Sequence, residues 1–277
     1  MDKSDWDTAI SYFEMVTGTL STDRTFLNNK AGAYAGKCGL VFIDYFGDLG
    51  SIDLTGTTIF KFLMGSVKNY TTSHSYCHLA EQTMISIGLT AADRTSQENL
   101  FMLVLSMFKV GAYLKDYLDA NPAPADGVAK AGINLCTIGA VGSTGDSAIP
   151  SAEMKEIASG WSHFINNFSA FPSFPAAVQA AMTALTGSIC SFLETGGTSA
   201  NPCELYDATN GKTGYVTAEF EEAVNTVRDM LKTGPTSAVA QVGVQEVADA
   251  PCNPPLPVDA GTATTFRACC AFAGGAP

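Results

Sequence analysis

The sequence predicts a mainly α-helical protein, with a multi-helix, bundle-like body followed by an extended, partly β C-terminal arm. Three observations favour this fold. Apolar residues recur every three or four positions through most of the chain before residue 235, which is typical of amphipathic helices. Ser, Thr or Asp precedes several of these stretches, and Gly or Pro follows them, as helix starts and stops require. The remaining residues carry almost no charge and several prolines.

The N-terminal part, residues 1–120, is predicted to contain five helices. The fifth has the clearest signal, because Thr95-Ser-Gln-Glu98 is a capping box in which two side chains satisfy backbone N–H groups of the first turn. The others begin near Ser4, Thr22, Thr57 and Ser73, and the fourth is expected to stop at Gly88. The apolar faces would include Trp6, Ile10, Phe13, Val16, Leu63, Val67, Leu103, Val104, Met107 and Phe108.

The second helix, predicted from Thr22 to Phe46, contains three glycines, Gly32, Gly36 and Gly39. Each costs up to about 1 kcal/mol of helix propensity relative to Ala. Glycines at this spacing favour a close crossing of two helices, since they let the backbones approach. The alternative is that the helix breaks there.

The prolines after Asn121 predict an internal boundary at residues 121–127. We therefore divide the chain into a helical subdomain at 1–120, a second one at 121–234 packed on the first, and an arm at 235–277. Further helices are predicted at 151–168, 175–194 and 217–231. The apolar stretch at 128–141 fits a buried helix or a strand equally well.

The arm, residues 235–277, combines a β-tending stretch at 239–247 with a proline-rich segment at 251–257. Such a segment is too apolar to remain in solvent, because large aliphatic and aromatic side chains each gain about 1.5–3 kcal/mol on burial. We expect it to pack on another copy of the chain. The alternative is that it folds back on its own body.

The charge balance excludes several classes of partner. The net charge is −12, and the Lys and Arg residues are scattered singly, so direct nucleic-acid binding is not expected. No apolar run has the length of a transmembrane span, about 18 residues. The N-terminus lacks the apolar core of a signal peptide, which indicates either an intracellular protein or a removed signal.

The eight cysteines leave the redox compartment open. Cys38, Cys77, Cys136 and Cys190 lie in apolar segments, where a free Cys behaves as a small hydrophobic residue. Cys203, Cys252, Cys269 and Cys270 lie in Pro/Gly-rich or terminal segments, where disulfides are useful. Eight cysteines pair in 105 ways, so the sequence gives no connectivity. Asn69 and Asn167 match the glycosylation sequon.

A metal site is predicted at His74, His78 and Glu81. On a helix these residues occupy positions i, i+4 and i+7, hence one face, and two imidazoles with a carboxylate suit zinc or iron when further ligands come from elsewhere. The metalloprotease pattern requires Glu directly after the first His, where this chain has Ser75. The alternative is a surface or helix-capping pair of histidines. His163, on the stripe of Trp161, is expected at the edge of the core.

Other catalytic motifs are not recognisable. Gly211-Lys212-Thr213 resembles the end of a phosphate-binding loop, but the glycine that the motif requires is replaced by Tyr206. No Gly-x-Ser-x-Gly elbow and no cysteine signature is present.

Three function classes follow. The first is a self-assembling structural protein, the subunit of a shell, filament, virion or surface layer, and hence a homo-oligomer. It is favoured by the charged fraction of 15%, against a usual value of about 25%, and by the apolar arm. The second is an α-helical binding protein for a hydrophobic ligand, pigment or metal. The third is a metal-dependent enzyme that uses His74, His78 and Glu81.

Overall fold

A computed structural model describes residues 5–45, 63, 66–67, 70, 72–119, 149–169, 206–207 and 212–213. This part of the chain is mainly α-helical, as predicted. Its helices are α1 (Trp6–Met15), α2 (Arg24–Cys38), α3 (His74–Ile87), α4 (Ser96–Leu118) and α5 (Ser151–Ser169). Two 3-10 turns, Gly18–Thr22 and Ala91–Asp93, precede α2 and α4.

Capping interactions define the ends of α2 more clearly than the start of α1, whose N-cap side chain makes no capping hydrogen bond. The N-cap of α1 is Asp5, not Ser4 as predicted. The Asp23 side chain caps α2 by accepting a hydrogen bond from the backbone N–H of Phe26. The prediction that this helix reaches Phe46 is wrong. It ends at Gly39, which adopts a left-handed conformation with φ 110°, one that residues with a Cβ rarely adopt.

The helices α3, α4 and α5 lie where they were predicted from the sequence. Ser73 and Gly88 flank α3, and Thr95 and Glu98 form the capping box of α4. Both halves of that box are present, with the Thr95 N–H donating to Glu98 Oε2 and the Glu98 N–H donating to Thr95 Oγ1.

The helix α4 is the centre of the described core. It packs against α5 on one side and α3 on another, while α3 also packs against α2, and α2 against α1. Side chains 102–115 of α4 are all buried, as expected for a helix surrounded by others. Next to it, the ring of Phe108 contacts Tyr45 and Tyr70 edge-on, a favourable arrangement for aromatic rings.

A disulfide between Cys38 and Cys77 links the end of α2 to the first turn of α3. The interpretation of these two residues as small free hydrophobic cysteines is therefore wrong. Both are fully buried, and the Ser73 N–H donates to the Cys38 carbonyl beside them. Disulfides persist in oxidising compartments and are rare in the cytosol.

Several predictions lie outside the described residues. They include the arm at 235–277, the boundary at 121–127, the segment at 128–141 and the helices at 175–194 and 217–231. Of the predicted helix at 57–69, Leu63 and Val67 are described, and both are buried as expected. Lys212–Thr213 pairs with Tyr206–Asp207 as a short antiparallel ladder. Among the described helices, none combines the length and apolar character that crossing a bilayer requires.

Candidate functional site

Four ionisable side chains from three helices converge in the core. The helix α3 provides His78 and Glu81, α4 provides Lys109, and α5 provides Glu156. We call these four residues the ion cluster. His78 and Glu81 lie three positions apart, so they share the face of α3 that turns toward the other two helices.

Lys109 is the centre of the ion cluster. Its Nζ lies 2.6 Å from Glu81 Oε2 and 2.6 Å from Glu156 Oε2, and the Lys109 and Glu81 side chains have no exposed surface. His78 Nδ1 lies 2.6 Å from the same oxygen of Glu156. The Ser159 hydroxyl donates to Glu81 Oε2 over 2.8 Å. One ammonium thus bridges two carboxylates, one from each neighbouring helix.

The two carboxylates have opposite pKa shifts. Burial raises the pKa of Glu81 above its usual value, more than the nearby Lys109 ammonium lowers it. Burial also acts to raise the pKa of Glu156, but Lys109 and the hydrogen bond to His78 outweigh it, and the pKa falls to about 2. The Oε1 atom of Glu81 is buried without a hydrogen-bond partner among the described residues.

The predicted metal ligands do not all meet. Nδ1 of His74 lies 2.6 Å from Asp116 Oδ2, and the His74 ring contacts Tyr113 and Tyr117. The hydrogen bond to Asp116 raises the pKa of His74. The structure instead brings Glu156 to the other two predicted residues. Ligand atoms of His78, Glu81 and Glu156 lie within 4.8 Å of one another.

Three residues of this region, Lys109, Glu156 and Ser159, were not predicted from the sequence. Lys109 had a detectable signal, because it follows the apolar run 101–108, and a cation on a buried helix requires a buried partner. Glu156 had no such signal, since its pairing depends on how α5 packs. His163 is fully within the core rather than at its edge, and burial lowers its pKa well below the usual value, which favours the neutral imidazole.

The sequon residue Asn167 is also buried. Its side-chain oxygen accepts a hydrogen bond from Arg94 over 2.9 Å, and its Nδ2 donates to the His163 carbonyl over 2.6 Å. A glycan on this nitrogen is incompatible with the folded arrangement.

Comparison of the chain with protein-family models, curated proteins and solved structures finds no match.

Proposed function

We propose that the chain is a self-assembling structural protein, the subunit of a shell, filament, virion or surface layer. The observation that carries this proposal is the exposure of large apolar side chains near the N-terminus. Tyr12 and Met15 of α1 are 64% and 67% exposed, and Leu20 in the following 3-10 turn is 56% exposed. Tyr12 and Met15 lie three positions apart and therefore share one face of the helix. Such a face gains free energy when a neighbouring molecule covers it.

The low fraction of charged residues in the chain supports the same proposal. Charged residues make up 15% of the sequence, so fewer ionic groups have to be desolvated when surfaces meet. The net charge of −12 still causes repulsion between copies. Association through apolar surfaces is therefore expected to strengthen as salt screens this repulsion.

The ion cluster is consistent with a scaffold. Lys109 and Glu81 neutralise each other within the core, and the contacts of Lys109 with Glu81 and Glu156 join α3, α4 and α5. These charges hold helices in a fixed arrangement. The Cys38–Cys77 disulfide joins α2 to the same body. Both features suit a subunit that must keep its shape in an oxidising environment.

Light scattering of the full chain tests the proposal. The expected mass is a multiple of 29.0 kDa that rises with protein concentration and with salt. The double variant Tyr12→Ser/Met15→Gln should shift the mass toward 29.0 kDa without loss of helical circular dichroism. Asn29→Ser, a polar exchange at an exposed position of α2, is the control. A wild-type monomer at millimolar concentration would contradict the proposal.

A second candidate function is metal binding at His78, Glu81 and Glu156. It is favoured by the convergence of their ligand atoms and by the unpartnered Oε1 of Glu81. One imidazole and two carboxylates suit zinc or iron. Because Lys109 Nζ lies 2.6 Å from both carboxylates, an ion would have to displace the ammonium. A metal-dependent enzyme would further need substrate access, and Glu81 is fully buried.

Zinc titration calorimetry separates the two possible ligand sets. If His78, Glu81 and Glu156 bind the ion, His78→Ala and Glu156→Gln should abolish binding while His74→Ala retains it. If the originally predicted set binds, His74→Ala should abolish binding too. Lys109→Met should bind zinc more tightly than the wild type, since the ion replaces the lost ammonium. Failure of both the wild type and Lys109→Met to bind zinc would contradict a metal site.

A further inference from the structure

A cleft of about 220 Å³ lies between the connection from α3 to α4 and the helix α5. Its lining combines small apolar residues with polar and cationic ones. They are Leu89, Thr90, Ala91, Ala92, Arg94, His163 and Asn166. The volume is suited to a small molecule rather than to a protein segment. The cationic side chain of Arg94 in the lining indicates that the small molecule would carry a negative charge.

Arg94 is a buried cation whose direct partners are all neutral. Only 6% of its surface is exposed. Its Nε donates to Asn99 Oδ1 over 3.1 Å, and its Nη2 donates to Asn167 Oδ1 over 2.9 Å. Its Nη1 donates to the carbonyls of Gly88 and Leu89 over 2.5 and 3.4 Å. The second hydrogen of Nη2 has no acceptor among the described residues.

Lys109, another buried cation of the described core, contacts two carboxylates. Lys115, which is 3% exposed, resembles Arg94 in donating to neutral groups, the carbonyls of Val67 and Tyr70. Of the two cations with neutral partners, Arg94 is the one that lines the cleft. No carboxylate of the described residues accepts a hydrogen bond from Arg94. Burial of a charge without a charged partner is unfavourable, so an anion bound next to Arg94 would stabilise the buried guanidinium.

The nearest acidic residues are already engaged. Asp93 accepts hydrogen bonds from the backbone and hydroxyl of Thr90, and Glu98 accepts them from Arg24, Asn28 and Thr95. Burial lowers the pKa of Arg94 to about 10, because it outweighs the longer-range attraction of Asp93, Glu98 and Glu81. The guanidinium therefore remains charged at neutral pH.

We propose that this cleft binds a small oxyanion, the carboxylate or phosphate group of a small molecule, with Arg94 as its counter-ion. The guanidinium is well suited to this role because it remains cationic and donates in the plane in which carboxylate and phosphate oxygens accept. Asn166 adds an amide to the lining, while Leu89 and Ala91 offer apolar contact to a short carbon chain. The site is separate from the ion cluster and independent of self-assembly.

Calorimetric titration of the full chain with inorganic phosphate, and separately with acetate, tests the proposal in a low-salt buffer. Saturable binding of at least one ion is expected, with a matching rise in Tm. Binding of acetate alone identifies a carboxylate site, and binding of phosphate alone identifies a phosphate site. Absence of saturable binding of both would overturn the proposal.

The matched variants Ala92→Glu and Ala92→Gln locate the site without altering Arg94 or its hydrogen bonds. Ala92 is exposed and lines the cleft. The Glu variant should weaken anion binding at least about tenfold relative to the Gln variant, because a like charge repels the ligand. Equal affinities in the two variants would overturn the assignment. Arg94→Met, if it folds, should abolish binding, and retention of wild-type affinity would equally contradict it.

Discussion

The ammonium nitrogen of Lys109 lies 2.6 Å from a carboxylate oxygen of Glu81, and neither side chain has any surface exposed to solvent. A buried ion pair contributes little net stability when compared with well-packed apolar residues, because both charges lose their hydration. Removal of one partner has a much larger effect, since the remaining charge stays buried and unpaired. The packing of α3 against α4 therefore depends on the presence of both residues.

The substitution Lys109→Met is therefore expected to lower the free energy of unfolding by about 3–5 kcal/mol at pH 7. It leaves the buried Glu81 and the partly buried Glu156 without their shared cation. Urea denaturation measures the change. Lys37→Met is the matched control, because the Lys37–Asp7 ion pair of 2.7 Å lies largely in solvent and should matter far less. Similar losses in both variants would show that the ion cluster has no special role.

Acid should destabilise the protein through Glu98 and Glu156. Hydrogen bonds from Arg24 hold the pKa of Glu98 well below its usual value, and the pKa of Glu156 is about 2. A lowered folded-state pKa means that the unfolded chain binds more protons in acid. The stability from these groups is therefore fully present above their usual pKa of about 4.5 and is lost as the pH falls toward 2.

Glu81 has the opposite pH dependence. Because its folded-state pKa is raised, its contribution favours folding at low pH and is lost as the pH rises through the raised value.

The substitution Glu98→Gln tests the acid dependence, since Gln preserves a cap for α4 but removes the charge that Arg24 pairs with. The variant should lose stability at pH 7 and show a smaller loss at pH 2. Asp44→Asn, at an exposed position, is the control. Chemical denaturation at both pH values gives the comparison. An identical loss at pH 7 and pH 2 would show that hydrogen bonding, not charge, accounts for the effect.

The Cys38–Cys77 disulfide closes a loop with a sequence separation of 39 residues. In the chain-entropy model a loop of this length stabilises the folded state by about 4 kcal/mol. The double variant Cys38→Ala/Cys77→Ala should therefore unfold at lower urea concentration. Mass spectrometry of a non-reduced tryptic digest checks the connectivity independently. Peptides 38–61 and 69–94 each contain one cysteine and should appear as a single linked species that reduction separates.

The sequence predicted the helices whose ends have local signals. Thr95 and Glu98 define the start of α4 through contacts three residues apart, and no other part of the chain is needed to recognise them. The partnership of Lys109 with Glu156 joins residues 47 positions apart, and it exists only because α4 and α5 pack together. For the same reason the sequence grouped His74 with His78, whereas Asp116 engages the first and Glu156 the second.

The glycines predicted within the second helix allowed two alternatives, a close crossing with another helix or a break in the helix. Both alternatives occur, at different glycines. Gly39 ends the helix, and Gly36 is a point of close approach, where an added Cβ would overlap the indole ring of Trp6 on α1. Gly32, one turn earlier, has open space around its Cα. Sequence spacing alone does not distinguish these three roles, because each depends on what packs nearby.

The pair Gly36→Ala and Gly32→Ala should therefore change stability in opposite directions. At Gly32 the added methyl meets nothing within 4 Å and reduces the entropy of the unfolded chain, so stability should rise by about 0.5–1 kcal/mol. At Gly36 the methyl must displace the Trp6 ring, and overpacking of this kind costs about 1–3 kcal/mol. Thermal unfolding measures both effects, and indole fluorescence should change only for Gly36→Ala, since Trp6 has to move. If both variants gained stability equally, α1 would not pack against α2 through Trp6.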